Sequence, residues 1–419
     1  MVCYSETQEL VKWIKRDPSI MASIPRNVVT MKGKLNYVRN SEKGQKFLRE
    51  TIRRLRETPH HKKSWEHYLV MSGFYSATKE FQKAYEAVSE AVRLLQIDAN
   101  VIESLDLNEF LNYARKLSED EKEVLHTFFR LKLQADNNIL ECRFEVEIEP
   151  ERIEVREIHE LNTKDFHKYY CQRRIPVVIN GYSGPKWTEQ TLINQIGSKT
   201  VLLKRTEDYS DEWACLVPSH NVTVKEFIES GSDKEYLFDW SIPLHCPDNE
   251  LVFQVPHIFL EGDILKRTSE TAMYHKSWPS LFVCKAGMSS RCHVDAFDSH
   301  FWMYLIKGKK KWTFFNPEFM ANLCPIYHSS LDPSFMAANR DNIKKIPRKV
   351  VYLEPGQLLY VPHGWPHIVD NLEDSIAVSG NFVNYTNLPH ALKQLKMISL
   401  SDACFLDFLE EFQRSHLTF

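Results

Sequence analysis

Three side chains in the second half of this 419-residue sequence are of types that bind a metal, and two of them share one short segment. In His293-Val294-Asp295 an extended backbone turns the side chains at i and i+2 to one face, so an imidazole and a carboxylate project together. The third, His367, follows the turn Pro362-His363-Gly364-Trp365-Pro366 and opens an apolar run. Two imidazoles and a carboxylate on one side of a metal leave the opposite positions open for further ligands. Taken alone, His-x-Asp carries little weight: with 17 His and 56 acidic residues, roughly two His-x-acid triplets arise by chance. A lone His at a strand start is ordinarily a core or turn residue, so the weight falls on the context.

That context includes Gly308, a hairpin signal, followed by Lys309-Lys310-Lys311-Trp312-Thr313-Phe314. Strand alternation puts Lys310, Trp312 and Phe314 on one face and Lys309, Lys311 and Thr313 on the other. The face with two large aromatics is expected to be buried, which takes Lys310 inside with them. A buried ammonium is unfavourable unless an anion meets it. A dicarboxylate whose other end chelates the metal would supply that anion. The competing reading, in which Lys310 snorkels to solvent, stays open at this stage; Lys309 and Lys311 read as solvated charges.

The elements that must position these groups follow from a change of texture along the chain. Up to about residue 140 the pattern is helical. Ser5-x-x-Gln8 and Ser118-x-x-Glu121 read as capping boxes, and Phe81, Tyr85, Val88, Val92 and Leu95 recur on one helical face. Ala84, Ala87 and Ala91 leave room for a neighbour over Trp65 to Tyr75, a helical hairpin weakly like a tetratricopeptide unit. From about residue 145, short β-branched and aromatic runs predict strands at 176–179, 281–283, 301–306, 312–315, 358–361, 367–369 and 376–379. Few helices lie between the last of these, so the sheets should be largely antiparallel, in a closed or double-sheet architecture. The segment from Pro389 to Phe412 returns to helix. The expected division is a helical domain at 1–144, a β-rich domain at 145–388 and a helical element at 389–419.

Composition excludes several classes. At 43% hydrophobic and 26% charged, the chain has material for a large core, and 53 basic against 56 acidic residues leave no strong overall field towards nucleic acid or lipid. Residues 15–63, however, hold 14 Lys and Arg against 4 Asp and Glu. Arg49, Arg53 and Arg56 form a ridge beside Leu48, Ile52 and Leu55, readable as a solvated face or as a dock for an acidic partner. Nine cysteines without a C-x-x-C pair argue against a disulfide framework and a structural zinc site. With no leader-like N-terminus and no long apolar run, the reading is a soluble protein of the nucleus and/or cytoplasm, away from membranes. Neither a G-x-x-x-x-G-K-[ST] nor a G-x-G-x-x-G is present. Gly181-Tyr182-Ser183-Gly184 is a turn and not a nucleophile elbow, and His293 is poorly placed as a base for Cys292 because adjacent strand residues face opposite ways.

Taken together, Cys292-His293-Val294-Asp295, Gly308-x-Lys310-x-Trp312, Pro355-Gly356-x-x-Leu359-Tyr360-Val361-Pro362-x-Gly364-Trp365-x-His367 and Asn371-Leu372-Glu373-Asp374-Ser375-Ile376-Ala377 resemble the JmjC family of Fe(II)- and 2-oxoglutarate-dependent oxygenases. Pro176-Val177-Val178-Ile179-x-Gly181 and Trp187 look like the entry strand of that domain, and the similarity spans about residues 150–390. It looks closest to the small JmjC protein hydroxylases. The resemblance implies an α+β fold: a double-stranded β-helix, the cupin-like jelly roll, with N-terminal and C-terminal helices. It implies His293, Asp295 and His367 as iron ligands, and Lys310 on the distal carboxylate of 2-oxoglutarate. Ser290 and Ser379 fall where relatives place hydroxyls against the same cosubstrate. Met303 departs from the pattern, standing where several relatives have Asn reaching towards 2-oxoglutarate; Tyr304 or Asn381 would then replace that contact.

The implied cofactors are Fe(II), 2-oxoglutarate and dioxygen. The implied reaction oxidises 2-oxoglutarate to succinate and carbon dioxide and hydroxylates a C–H bond, here of a protein substrate, with Lys or Arg favoured. Demethylation is the same oxidation on an N-methyl group. A different class of reading is a non-catalytic interaction scaffold that uses the basic ridge. The C-terminal leucines Leu392, Leu395, Leu406 and Leu409 suit either a homodimer or a cap on the barrel.

Overall fold

A computed structural model describes residues 38–59, 63–139, 146–207, 213–231, 234–327, 333–335 and 341–416, together with Ile20 and Ala22. The Ser5 capping box, Cys3, Cys142, much of the basic N-terminal segment and the 144/145 boundary lie outside the described residues.

Helices α1 (Glu42–Glu57), α2 (Trp65–Ala77), α3 (Phe81–Leu94), α4 (Ala99–Ser104), α5 (Leu107–Ala114) and α6 (Glu119–Ile139) make up the first part. Their starts follow capping chemistry. Ser41 accepts from the Gly44 amide, and Ser118 and Glu121 exchange side-chain to backbone bonds at 3.3 and 2.7 Å. Ala84, Ala87 and Ala91 are buried on α3, as the small-residue spacing predicts. Helices α7 (Leu388–Ser399) and α8 (Ala403–His416) return to this layer. Leu395 and Leu409 are fully buried in the same apolar cluster as Phe74, Val88 and Phe110, with Leu392 and Leu406 packed against it. Arg115 pairs with Glu410, and Lys396 donates to the Leu105 carbonyl. The C-terminal leucines are thus used within the chain, and a homodimer would need the remaining surface of these helices. Among the described residues no helix is long and apolar enough to cross a membrane.

Sixteen strands follow: β1 (Glu151–Arg152), β2 (Glu154–Glu157), β3 (Val177–Asn180), β4 (Thr200–Thr206), β5 (Leu216–Thr223), β6 (Tyr236–Ser241), β7 (Ser280–Cys284), β8 (Ser289–His293), β9 (His300–Lys307), β10 (Lys310–Phe315), β11 (Pro325–Ile326), β12 (Ser334–Phe335), β13 (Arg348–Leu353), β14 (Leu358–Val361), β15 (His367–Asn371) and β16 (Ser375–Phe382). They form a nine-stranded sheet in the order β2-β3-β14-β9-β16-β7-β6-β4-β5, a five-stranded sheet β1-β13-β10-β15-β8, and the pair β11-β12. Pairing is antiparallel except for β1 with β13 and β2 with β3. The expected double-sheet architecture is therefore present, and every strand read from the sequence exists, most extended by one to three residues. Strands β1, β2, β4 to β6, β8 and β11 to β13 were not among them.

Side chains from the two large sheets meet in one interior cluster that includes Phe282, Met303, Leu305, Trp312, Phe314, Leu359 and Val369. The far face of the nine-stranded sheet buries Trp302, Tyr304, Tyr360 and Val378 against Phe166 and Phe259. The far face of the other sheet buries Cys292 and Phe315. Parity along each strand thus decides which residues see the interior. The β9–β10 turn depends on Gly308, whose φ of +88° suits glycine. A Cβ there would run into the Asp374 carbonyl. This tight reversal starts β10 at Lys310 and fixes its parity.

Candidate metal centre

His293 closes β8 and His367 opens β15, and the two are direct partners in the antiparallel register. Directly paired residues share a face, so both imidazoles enter the interior, with ring centroids 4.2 Å apart. Asp295 follows two residues after His293, and one ligand atom from each of the three lies within 4.8 Å of the others. All three are buried. Nδ1 of His293 donates to the Arg291 carbonyl at 2.6 Å, and Nδ1 of His367 donates to the Trp365 carbonyl at 2.9 Å. Each bond fixes the tautomer and leaves the Nε2 lone pair as the ligand atom. Burial holds His367 down to about 4 and His293 well below its ordinary value, the neighbouring imidazole adding to the latter. Both rings are therefore neutral at physiological pH, the form a metal requires.

The segments that carry the ligands are held from outside the barrel. Arg174 donates from Nε and a terminal nitrogen to the His363 carbonyl at 3.3 and 3.2 Å, gripping the turn before His367. Gly364 in that turn has φ +69°, and a Cβ there would lie 2.7 Å from the Arg174 guanidinium. After Asp295 the chain passes through Phe297 and Asp298, both with positive φ. Asn387 donates to the Asp298 carbonyl at 2.7 Å, so a strained bend is held by a side chain from the far end of the domain.

Lys310 is 0% exposed, which settles the parity question in favour of the inward reading. Its ammonium donates to Oδ1 of Asn371 and lies 5.6 Å from the Tyr236 ring centroid. Among the described residues no carboxylate is paired with it. Burial pulls its pKa down to about 8. Asn371 is locked in turn, donating to the Met288 carbonyl at 3.0 Å and accepting from Ser375 at 3.1 Å.

The two serines also face inward. Ser379 lies on β16 at the parity of Ala377, is fully buried, and its Oγ has no partner. Ser290 is three residues before His293, so strict alternation would place it on the opposite face. Between His367 and Val369 the register shifts, pairing His367 with His293 but Val369 with Ser290. This β-bulge on β8 returns Ser290 to the interior face. Of the substitutes considered for Met303, Tyr304 faces the other side of its sheet, and Asn381 donates to Ser299 at 2.8 Å. Cys292 faces away from the centre, with its thiol pushed well above the usual range by burial. It is no nucleophile for this site.

Two contributors were invisible in the sequence. Trp213 packs its ring 4.3 Å from that of His293 and donates from Nε1 to the Val294 carbonyl at 3.0 Å. Tyr236 flanks Lys310 from β6. Trp213 comes from a short 3-10 helix and Tyr236 from a strand, neither with a local motif.

The buried imidazoles predict an acid response. Burial lowers the pKa of His126, His293, His300, His363 and His367 in the folded protein. Between about pH 6.5 and 4 the unfolded chain binds protons that the folded chain does not, so stability falls as pH drops, by up to about 1.4 kcal/mol per pH unit for each histidine. Denaturant midpoints of metal-free protein should therefore decline steadily from pH 7 to 5; a flat profile would contradict the neutral, buried assignment.

Comparison with known proteins agrees with this geometry. The family described as "Cupin-like domain" matches residues 163–387. The chain is 26% identical over 275 residues to "Arginine-specific demethylase JMJ20" of Arabidopsis thaliana, covering 55% of this chain and 56% of that protein. It is 31% identical over 174 residues to "2-oxoglutarate and iron-dependent oxygenase JMJD4" of Mus musculus, covering 38% and 39%. It is 23% identical over 247 residues to "Bifunctional arginine demethylase and lysyl-hydroxylase psr-1" of Caenorhabditis elegans, covering 54% and 60%. The matches thus span between about two-fifths and three-fifths of these relatives. With the matched segment running from before the entry strand β3 to beyond β16, the chain belongs to the cupin-like family and carries its JmjC-type domain.

Proposed function

We propose that this chain is an Fe(II)- and 2-oxoglutarate-dependent oxygenase that hydroxylates a lysine or arginine side chain of a protein substrate. The observation that carries the reading is the pairing of two neutral imidazoles and the Asp295 carboxyl group with a buried ammonium that has no carboxylate partner among the described residues, both facing one interior. The residues fit the group. Two Nε2 atoms and a carboxylate suit a divalent iron with open positions, and the ammonium suits the far carboxylate of a short dicarboxylate. The unpaired Oγ of buried Ser379 is a further polar atom awaiting a ligand. When bound, iron with 2-oxoglutarate and dioxygen supplies the oxidation. The chain's own part is to bind and orient: Arg291 and Trp365 carbonyls aim the imidazoles, Asn371 aims Lys310, and the aromatic interior excludes water.

N-demethylation is the second reading, favoured by relatives named as arginine demethylases. The experiment is a 2-oxoglutarate turnover screen against cell-extract proteins with mass-spectrometric localisation, wild type and His293→Ala in parallel. The proposal expects turnover only with wild type and a substrate mass gain of one oxygen. Loss of a methyl group would select demethylation, and absence of iron-dependent turnover would favour the scaffold reading. An acidic partner is proposed for the groove beside α1, where Arg49, Arg53 and Arg56 line a space of about 410 Å³ together with Tyr75, Glu57 and Glu80. Nucleus and/or cytoplasm remains the proposed location, consistent with seven described cysteines that are all free thiols.

A further inference from the structure

Trp312 belongs to the interior cluster between the two large sheets. Its side chain is 1% exposed, yet its indole Nε1 has no hydrogen-bond partner. A buried N–H without an acceptor is rare in a native interior and points to a group that arrives later.

The position of Trp312 narrows what that group is. On β10, Lys310, Trp312 and Phe314 share the interior face, and Phe314 is the register partner of His367. The Cα atoms of Lys310 and Phe314 lie about 13 Å apart along the strand, with Trp312 midway, and the long lysine side chain shortens the gap between its ammonium and the metal group. The Trp312 ring centroid is 5.3 Å from that of His367, and it is wedged between Phe301 and Phe314 at 6.0 and 5.7 Å. Trp312 thus stands on the interior face between the ammonium and the metal group.

We infer that the Trp312 indole N–H donates a hydrogen bond to a carboxylate oxygen of the bound dicarboxylate. The inference rests on the proposed function and adds a cosubstrate-binding residue to it. The ring is part of the core, so the informative substitution keeps its shape: Trp312→3-benzothienylalanine, introduced by codon suppression, exchanges the N–H for sulfur. 2-Oxoglutarate binding to the full chain loaded with Mn(II) is measured by calorimetry, beside thermal unfolding of the metal-free protein. The expected result is a Kd raised about tenfold or more, with the metal-free unfolding temperature unchanged or higher, since an unpaired polar group has been removed. Trp312→Phe should show the same loss of affinity. A Kd within twofold of wild type, or a lowered unfolding temperature that reveals a structural partner for the N–H, would overturn the inference. Wild-type protein that binds no 2-oxoglutarate would instead overturn the functional reading on which it rests.

Discussion

His367→Ala is expected to abolish the proposed iron-dependent 2-oxoglutarate consumption and to lower the affinity for Fe(II) by more than about 100-fold, beyond the loss expected from changing a hydrogen-bond partner of a ligand. The magnitude follows from how the ligand is held. His367 is the only member of the group supplied by β15, and it meets His293 across a direct register pair. Its Nδ1 is committed to the Trp365 carbonyl, so all of its remaining bonding capacity is at Nε2. Among the described residues the metal-ligating group contains no buried His besides His293 and His367: His300 is engaged with Tyr360 and Thr386 at 2.8 and 3.0 Å on the other side of the nine-stranded sheet. The check is equilibrium metal titration under anaerobic conditions together with succinate production. Retained stoichiometric binding in the variant would remove His367 from the ligand set.

The second large effect belongs to Lys310→Met, expected to weaken 2-oxoglutarate binding by about 100-fold or more while leaving the metal-free protein as stable as wild type or more so. Removing an ammonium buried without a counter-charge deletes a desolvation penalty, and replacement of buried charge by a well-packed apolar side chain is often neutral or stabilising by about 1–4 kcal/mol. Asn371 is not orphaned by the change, because its Oδ1 still accepts from Ser375. The pH dependence has a definite sign. With a folded pKa of about 8 against an ordinary 10.5, Lys310 is charged in both states below pH 8, and its penalty is then fully present. Between these values the unfolded chain holds more protons, so the stability of ligand-free wild type rises with pH, by about 3 kcal/mol at most. Cosubstrate affinity runs the other way, because the ammonium that receives the carboxylate is lost above pH 8. Lys310→Met should show neither trend. Unaltered affinity in this variant would mean that the anion is met elsewhere.

These expectations draw on features of unequal visibility in the sequence. His293-Val294-Asp295 and the Lys310, Trp312, Phe314 alternation were legible because strand parity is local, and Gly308 announced the turn that fixes it. The double-sheet architecture was legible for the same reason, in runs such as Leu358–Val361. What parity cannot show is an interruption of parity: the bulge that brings Ser290 beside His293 appears only in the pairing of β8 with β15. Nor does local pattern disclose Trp213, which reaches His293 from about 80 residues upstream, or the Arg174 grip on the His363 carbonyl across 189 residues. Such contacts are set by how the sheets close. Tyr304 illustrates the converse, since its chemistry suited the place of the missing amide while its parity sends it to the opposite face.

The most direct test is anomalous diffraction from crystals of the full chain grown without oxygen in Mn(II) and 2-oxoglutarate. The account predicts one strong metal peak bounded by Nε2 of His293, Nε2 of His367 and the Asp295 carboxylate, with dicarboxylate density running from it to the Lys310 ammonium. A metal bound at other side chains, or none at this group at saturating concentration, would contradict it.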